Sequence, residues 1–216
     1  VTASADDRLT VSGIIAREDD AEVIDLVLQD LVTGPEIDFN LAVLNPAVCG
    51  IESMLPALPS IGVEIVYSYG RREGFSPDGV YFEGENPVID VLMPASRVGF
   101  FYGFYVDAEG TVYHLLPHKD RSGNVLPTIG TEENGVRTVR LAFPADEATT
   151  ERVGFNVIPP FGTGIIVAII TETPLFDGLR PRAESVEAFR DALSGSHAIV
   201  LDGHTLVASR YLVTKP

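Results

Sequence analysis

The stretch of sequence that decides the fold is VGFFYGFYVDAEGTVYHLLP, residues 98–117. Two apolar runs rich in aromatic residues flank Asp107-Ala108-Glu109-Gly110, a polar turn that ends in glycine. Glycine accepts the positive φ that tight hairpin turns require, and the flanking runs have the composition of β-strands. The stretch therefore predicts a β-hairpin.

The chain on both sides of this hairpin consists of short apolar runs separated by turns. These runs cover residues 62–69, 79–82, 87–93, 137–143, 154–159, 164–172 and 205–213. The chain also has 20 glycines and 15 prolines, spread along its length, as many turns require. A helix at residues 185–193, with Ser185 as its N-cap, interrupts the runs. We expect residues 61–216 to form an antiparallel β-sandwich domain.

Residues 1–60 show a different pattern. A strand at residues 9–15 and a strand at residues 37–44 enclose a helix at residues 21–32, and a short helix at residues 48–58 follows. Apolar residues recur in the first helix at three- and four-residue spacing: Val23, Ile24, Val27, Leu28 and Leu31. The pattern predicts a small α/β domain built as a β-α-β unit. The predicted fold class is α+β, mainly β.

The charge balance argues against two classes of partner. The 216 residues include 31 acidic and 15 basic side chains, for a formal net charge of −16. Such a surface repels polyanions, so neither nucleic acid nor an anionic membrane is an expected partner. Solubility alone accounts for the charge, and a basic protein partner is the alternative. The longest apolar run, residues 165–170, is far below the roughly 20 residues needed to span a bilayer.

No catalytic motif is present in the sequence. The GxSxG elbow, the dinucleotide and Walker fingerprints, HExxH and CxxC are all missing. The single cysteine, Cys49, lies in an apolar run and is interpreted as a buried small side chain that leaves the compartment undecided. We therefore predict no catalytic residue, no metal and no cofactor, and interpret the chain as a non-enzyme.

The four histidines do not form a predicted metal site. His114 and His118 are four residues apart, but on a strand that spacing separates them by about 13 Å, because a strand rises roughly 3.3 Å per residue. A hydrogen-bonding role at a strand end or a surface position is expected instead. His197 and His204, which flank a predicted hairpin at residues 198–206, are interpreted as structural. A hydrolase would need His114 or His118 within about 3 Å of a carboxylate in a pocket.

A ligand site is predicted near the Pro/Gly-rich loop at residues 159–164. Tyr102, Tyr105 and Tyr113 are close to this loop in the expected sheet, and the loop contains Phe161. Exposed tyrosines stack on sugar faces and on other small molecules. The alternative is that the loop is structural, with Phe161 tucked into the core. Burial of the tyrosines inside the sandwich would remove the binding platform.

Parts of the second half of the chain resemble a bacterial domain family of unknown function. The resemblance rests on YVDAEGTVYHLLP (105–117), FNVIPPFGT (155–163) and residues 167–171 followed by Pro174-Leu175-Phe176. It covers about residues 87–193. Members of that family are appended to serine/threonine kinases, caspase-like proteins and envelope proteins. The resemblance implies an immunoglobulin-like β-sandwich with an accessory role, and it implies no catalytic residue.

These observations favour a non-enzymatic accessory or sensor module of a larger bacterial signalling or cell-envelope protein, which acts through protein–protein contact. The alternative is a small-molecule or glycan-binding β-sandwich domain. The chain begins at Val1 without methionine or a signal-like segment, so a processed protein or a fragment is expected. The expected location is the cell envelope or periplasm, with the cytoplasm as the alternative. The partner and the oligomeric state stay open.

Overall fold

A computed structural model describes residues 2–3, 8–32, 34, 36–52, 54–55, 60–195 and 205–216. The strands are β1 Thr2–Ala3, β2 Arg8–Ile15, β3 Glu36–Val43, β4 Glu64–Tyr69, β5 Val80–Phe82, β6 Pro87–Pro94, β7 Gly99–Val106, β8 Thr111–Leu116, β9 Val125–Leu126, β10 Thr131–Glu133, β11 Val136–Ala142, β12 Gly162–Thr171, β13 Ala183–Ser185 and β14 Leu206–Lys215. The helices are α1 Asp19–Leu31, α2 Pro46–Glu52 and α3 Val186–Ser194.

The N-terminal segment forms the predicted β-α-β unit. Strands β2 and β3 pair in parallel, from Arg8 opposite Glu36 to Ile15 opposite Val43, and β1 pairs antiparallel with β2. Helix α1 connects the two parallel strands, and its first turn carries carboxylates, which the positive end of the helix dipole favours. The second predicted helix is α2, while residues 53 and 56–59 lie outside the described residues.

The second part of the chain contains two sheets packed face to face. One sheet has the order β10-β11-β6-β4, and the other has the order β13-β8-β7-β12-β14-β5 with β9 beside β7. Neighbouring strands are antiparallel except β14 and β5. The expectation of an α+β, mainly β protein with an antiparallel β-sandwich is confirmed.

The space between the two sheets is filled by alternate side chains of their strands. Period-two alternation sends one set of side chains of each strand inward, and these include Ile89 and Val91 from β6, Leu141 from β11 and Ile166 and Ile170 from β12. Each of these five is at most 3% exposed. The sandwich core is therefore a dry aliphatic and aromatic layer.

A third layer covers the outer face of the larger sheet. Ile165, Val167 and Ile169 of β12 point away from the sandwich core and pack in a cluster with Val48 of α2 and Phe189 of α3. The two-layer arrangement expected for residues 61–216 is thus incomplete, because helices cover β12 from behind. Burial on both faces is the reason why GTGIIVAIIT is apolar at almost every position. The predicted division of the chain at residue 60 stays a prediction.

The predicted hairpin is formed by β7 and β8. Tyr105 lies opposite Tyr113 in its register, and Gly110 closes the turn with φ +88° and an N–H that donates to the Asp107 carbonyl. The Asp107 carboxylate accepts the backbone N–H of Thr111 at 2.8 Å and fixes the turn. The sequence interpretation of this stretch is confirmed.

Strand β7 approaches the facing sheet closely at Gly103. A Cβ added there would lie 2.5 Å from Cδ2 and 2.8 Å from Cδ1 of Leu141, which is fully buried in β11. Glycine is therefore required by space at this position. A larger residue would have to push the two sheets apart or displace Leu141.

One predicted strand is not formed. Residues 154–159 make an isolated bridge between Phe143 and Gly154 but otherwise run as irregular chain across the end of the sandwich. Their backbone bonds to a loop rather than to a strand, since Val157 N–H donates to the Glu85 carbonyl at 2.9 Å. The predicted hairpin at residues 198–206, with His197 and His204, falls almost entirely outside the described residues. Among the described helices, none combines the length and hydropathy needed to cross a lipid bilayer.

Candidate functional site

A cavity of about 420 Å³ opens at the end of the sandwich, beside the turn between β7 and β8. We call it the sandwich-end cavity. Its floor consists of core side chains that include Ile89, Ile166 and Leu212, and residues 154–160 form its far wall. The three core side chains are at most 4% exposed, so the accessible apolar surface of the cavity belongs to its wall, where Ile158 is 65% exposed.

Three aromatic rings line one side of the sandwich-end cavity. The rings of Tyr105 and Tyr113 are stacked, with centroids 6.2 Å apart and planes inclined by 20°, and Phe155 meets Tyr105 edge-on at 5.6 Å. Tyr105 lies directly over Gly164 of β12, where an added Cβ would be 2.5 Å from the tyrosine Cε2. Because Gly164 has no side chain, the ring of Tyr105 can occupy the space above it. The two stacked tyrosine rings form an aromatic wall of the cavity.

The rim of the cavity is acidic. Asp107 and Glu109 line it, and the described residues of the lining include no lysine or arginine. Within the described part of the chain, neither carboxylate forms an ion pair. Burial raises the pKa of Tyr105 and Tyr113, and the charge of Asp107 raises both further. Both hydroxyl groups are therefore protonated at neutral pH and lie in a negative field.

A buried asparagine holds the far wall of the cavity in position. Asn86 is 1% exposed; its Nδ2 donates to the carbonyl oxygens of Phe155 and Phe143, and its Oδ1 accepts the N–H of Ala145 at 2.7 Å. These bonds satisfy backbone groups that no strand pairs. Phe155 is thus positioned by a polar anchor rather than by a sheet.

The structure brings together two of the four predicted binding residues. Tyr105 and Tyr113 line the cavity with Pro159 and Pro160 of the predicted loop, whereas Phe161 is half-buried and packs against the sandwich core. Tyr102 is 6% exposed and lies on the opposite face of the larger sheet. Strand alternation explains this separation, because residues 102 and 105 have opposite parity.

Sequence reasoning did not assign Phe155, Asp107 and Glu109 to the site. Asp107 and Glu109 were interpreted as turn residues, and the pairing of Tyr105 with Tyr113 across this turn is the signal that places them at the cavity. Phe155 gave no local signal, since residues 154–159 were expected to be a strand.

A buried ionic cluster joins β8 to the segment before α3. Nε2 of His114 donates to Glu184 Oε1 at 2.8 Å, and Nε of Arg180 donates to the same oxygen at 3.0 Å. The Nε2 position of His114 carries the proton because a carboxylate only accepts. Burial lowers the pKa of His114, and the neighbouring Glu184 offsets part of this shift. Burial raises the pKa of Glu184, but the hydrogen bonds and charges of Arg180 and His114 have the larger combined effect. The pKa of Glu184 is therefore lowered.

A hydrolase would need a histidine close to a carboxylate and a pocket around the pair, and this cluster meets only the first requirement. His114 is 2.8 Å from a carboxylate, but the two side chains are 4% and 6% exposed, and His114 does not line the sandwich-end cavity. His118 is fully buried, not a surface residue, and burial lowers its pKa. The His114–Glu184 pair therefore links β8 to β13 by a buried hydrogen bond.

Two further features bear on ligands. In the residues that the structure describes, no group of three or more histidine, cysteine, aspartate or glutamate side chains is arranged to hold a metal ion. Cys49 is half-buried and packs against the cluster between the larger sheet and the helices.

Helix α1 exposes an apolar and acidic face, which we call the α1 surface. It consists of four aliphatic side chains that are 53% to 74% exposed and of the carboxylates of the same helix. The aliphatic members are Val23, Leu26, Val27 and Leu31, and the acidic members are Asp19, Asp20, Glu22, Asp25 and Asp30. The helix contains no basic residue, and none of its side chains is fully buried.

The resemblance of residues 87–193 to a bacterial β-sandwich family of unknown function stays a prediction. No protein-family model, no curated protein and no solved structure matches this chain.

Proposed function

We propose that this chain is a non-enzymatic accessory module of a larger bacterial signalling or cell-envelope protein and that it acts by contact with another protein. The observation that carries the proposal is the α1 surface. Exposed aliphatic side chains at three- and four-residue spacing on a helix mark a surface that a partner covers. Such a row is rare on a helix that faces only water.

The charge of the α1 surface selects the partner. Five carboxylates and no basic residue lie on one 13-residue helix, so a second copy of the same surface would meet like charges. Glu22 and Asp30 lie on the same helical face as Val23 and Leu26, because residues spaced by three, four, seven or eight positions point in similar directions. A basic amphipathic segment of a partner protein matches both the apolar and the acidic groups.

A defined probe tests this proposal. The probe is a fluorescein-labelled 14-residue amphipathic helix of leucine and lysine, and a leucine and glutamate helix of the same pattern is its control. Fluorescence anisotropy is expected to show binding of the basic peptide that weakens with added salt, because surface charges are screened. Binding of the acidic peptide with equal affinity would contradict the proposal.

Matched variants locate the binding surface. Leu26→Ser with Leu31→Ser is expected to weaken binding of the basic peptide at least tenfold. The control pair Ile61→Ser with Leu179→Ser replaces aliphatic side chains that are also 95% and 51% exposed but lie elsewhere, and it is expected to leave the affinity unchanged. Equal loss in both double variants would show that the α1 surface is not the docking site.

A second candidate function is small-molecule or glycan binding, which the sandwich-end cavity favours. A concave site with an apolar floor, aromatic walls and a few polar groups is the usual form of a small-molecule site. Removal of one wall by Tyr113→Ala is expected to lower the affinity of a bound small molecule at least tenfold. Saturation-transfer NMR with a panel of monosaccharides and amines measures this change, and unchanged affinity would count against the candidate.

A further inference from the structure

The electrostatic character of the sandwich-end cavity limits the ligands that can enter it. Asp107 and Glu109 stand on the rim without a basic neighbour in the lining. A carboxylate held beside a concave apolar surface acts over a longer range than one in open solvent, because less water screens it. Anionic ligands are repelled, and cationic ligands are attracted.

The aromatic wall adds a second attraction of the same sign. The faces of the tyrosine and phenylalanine rings carry negative electrostatic potential, which attracts ammonium and guanidinium groups. Tyr113 is half-exposed at the cavity, and Phe155 lines it together with Tyr105. A cation on the rim would therefore meet ring faces as well as carboxylates.

The distribution of polar and apolar side chains in the cavity favours a ligand with one polar end. Ile89, Ile166 and Leu212 are at most 4% exposed, so the exposed apolar side chains of the cavity are those of Ile158, Pro159 and Pro160 in the wall. The amide oxygen of Asn156 already accepts a hydrogen bond from Arg71 Nη2 at 3.1 Å. A ligand that carries hydroxyl groups along its whole length would place some of them against these apolar side chains, which costs binding energy, whereas a chain of methylene groups fits there.

We infer that the sandwich-end cavity binds an organic cation, a protonated alkylamine whose apolar stem lies against Ile158 and the neighbouring prolines of the wall and whose ammonium group meets Asp107, Glu109 and the aromatic rings. This inference rests on the second candidate function, small-molecule binding. The same chemistry occurs in a free amine and in the lysine side chain of a protein, and the experiment separates these sources.

The test uses n-butylammonium, 1-butanol, butyrate and methyl glucoside as probes in titrations followed by ¹H–¹⁵N NMR of the full chain. The amide signals of residues 107–113 and 154–158 are expected to shift with n-butylammonium, and 1-butanol is expected to bind at least tenfold more weakly. Tighter or equal binding of 1-butanol, butyrate or methyl glucoside would overturn the inference.

Charge-neutral variants test the rim. Glu109→Gln changes an exposed side chain, and Asp107→Asn retains an oxygen that accepts the turn N–H groups, so both are expected to fold. The double variant is expected to bind n-butylammonium at least tenfold more weakly and 1-butanol unchanged. The control Glu133→Gln, in an exposed strand, is expected to bind both as the parent does. Unchanged n-butylammonium affinity in Glu109→Gln and in the double variant would overturn the inference.

The affinities of two capped peptides, Gly-Gly-Lys-Gly-Gly and its norleucine counterpart, show whether the natural cation is a lysine side chain or a free amine. A lysine peptide that binds more tightly than n-butylammonium supports a protein side chain as the natural ligand, and the reverse order supports a free amine. If the neutral probes bind and the cations do not, only the cation inference fails. If no probe shifts the cavity signals, small-molecule binding at this cavity fails as well.

Discussion

Replacement of Gly103 by alanine tests the close approach of the two sheets. The added Cβ would lie 2.5, 2.8 and 3.2 Å from three carbon atoms of Leu141, whereas carbon atoms in contact are normally about 3.5 to 4 Å apart. Leu141 is fully buried, and side chains in a close-packed interior move only when their neighbours also move. Overpacking of this kind costs about 2 kcal/mol, and we expect Gly103→Ala to lower the free energy of unfolding by that amount.

Urea unfolding followed by circular dichroism measures this loss, and thermal unfolding is expected to show a fall of about 4–8 °C in Tm for a chain of this size. Leu141→Ala removes the obstructing atoms and is expected to cost about 3 kcal/mol by itself, because it leaves a cavity. The two substitutions are in contact, so the double variant is expected to lose about 2 kcal/mol less than the sum of the single losses.

Gly123→Ala is the matched control, since an added Cβ there meets no atom within 4 Å. Its free energy of unfolding is expected to stay within about 0.5 kcal/mol of the parent chain. The reasoning is refuted if Gly103→Ala is equally neutral, or if Gly103→Ala and Leu141→Ala are additive.

Three further predictions concern polar side chains of the sandwich. The pKa of His114 is lowered in the folded chain, so below pH 6.5 the unfolded chain binds a proton at this residue more readily. The free energy of unfolding is therefore expected to fall between pH 7 and pH 5, by up to about 1.4 kcal/mol per pH unit from this group. Urea titrations of His114→Gln should show a shallower fall. Asn86→Ala is expected to cost about 3 kcal/mol in urea unfolding, because it leaves buried backbone groups unpaired; a loss below 1 kcal/mol would contradict its anchoring role. Asp90→Asn breaks a partly exposed two-bond pair with Arg140 and should cost only about 1 kcal/mol, so a loss as large as that of Asn86→Ala would be unexpected.

The local signals in the sequence were sufficient for the hairpin and for the β-α-β unit. A turn with Asp107 and Gly110 between apolar runs specifies its own pairing, and helical spacing between two strands specifies a crossover connection. The third layer could not be predicted in this way. An apolar strand such as β12 is compatible with burial on both faces, but the sequence does not say which distant helix provides the cover.

In the candidate site, too, some residues follow from local sequence pattern and others depend on distant contacts. Alternation along β7 would have excluded Tyr102 from a surface shared with Tyr105, because the parity of the two positions differs. Phe155 is held in the cavity wall by a hydrogen bond from Asn86 to its carbonyl oxygen, and the two residues are 69 positions apart in sequence. A contact between residues so far apart in sequence depends on how the sheets pack, so the local sequence pattern does not predict it.

The position of β14 affects the order in which the molecule can be completed during synthesis. This strand lies between β12 and β5, and nine residue pairs join it to β12. While the ribosome has not yet released residues 206–215, β12 has one free edge and β5 has no neighbour in the sheet. The nascent chain therefore exposes an apolar strand edge until the translation of this sheet is finished, and that interval is when it is most open to aggregation or to capture by a chaperone.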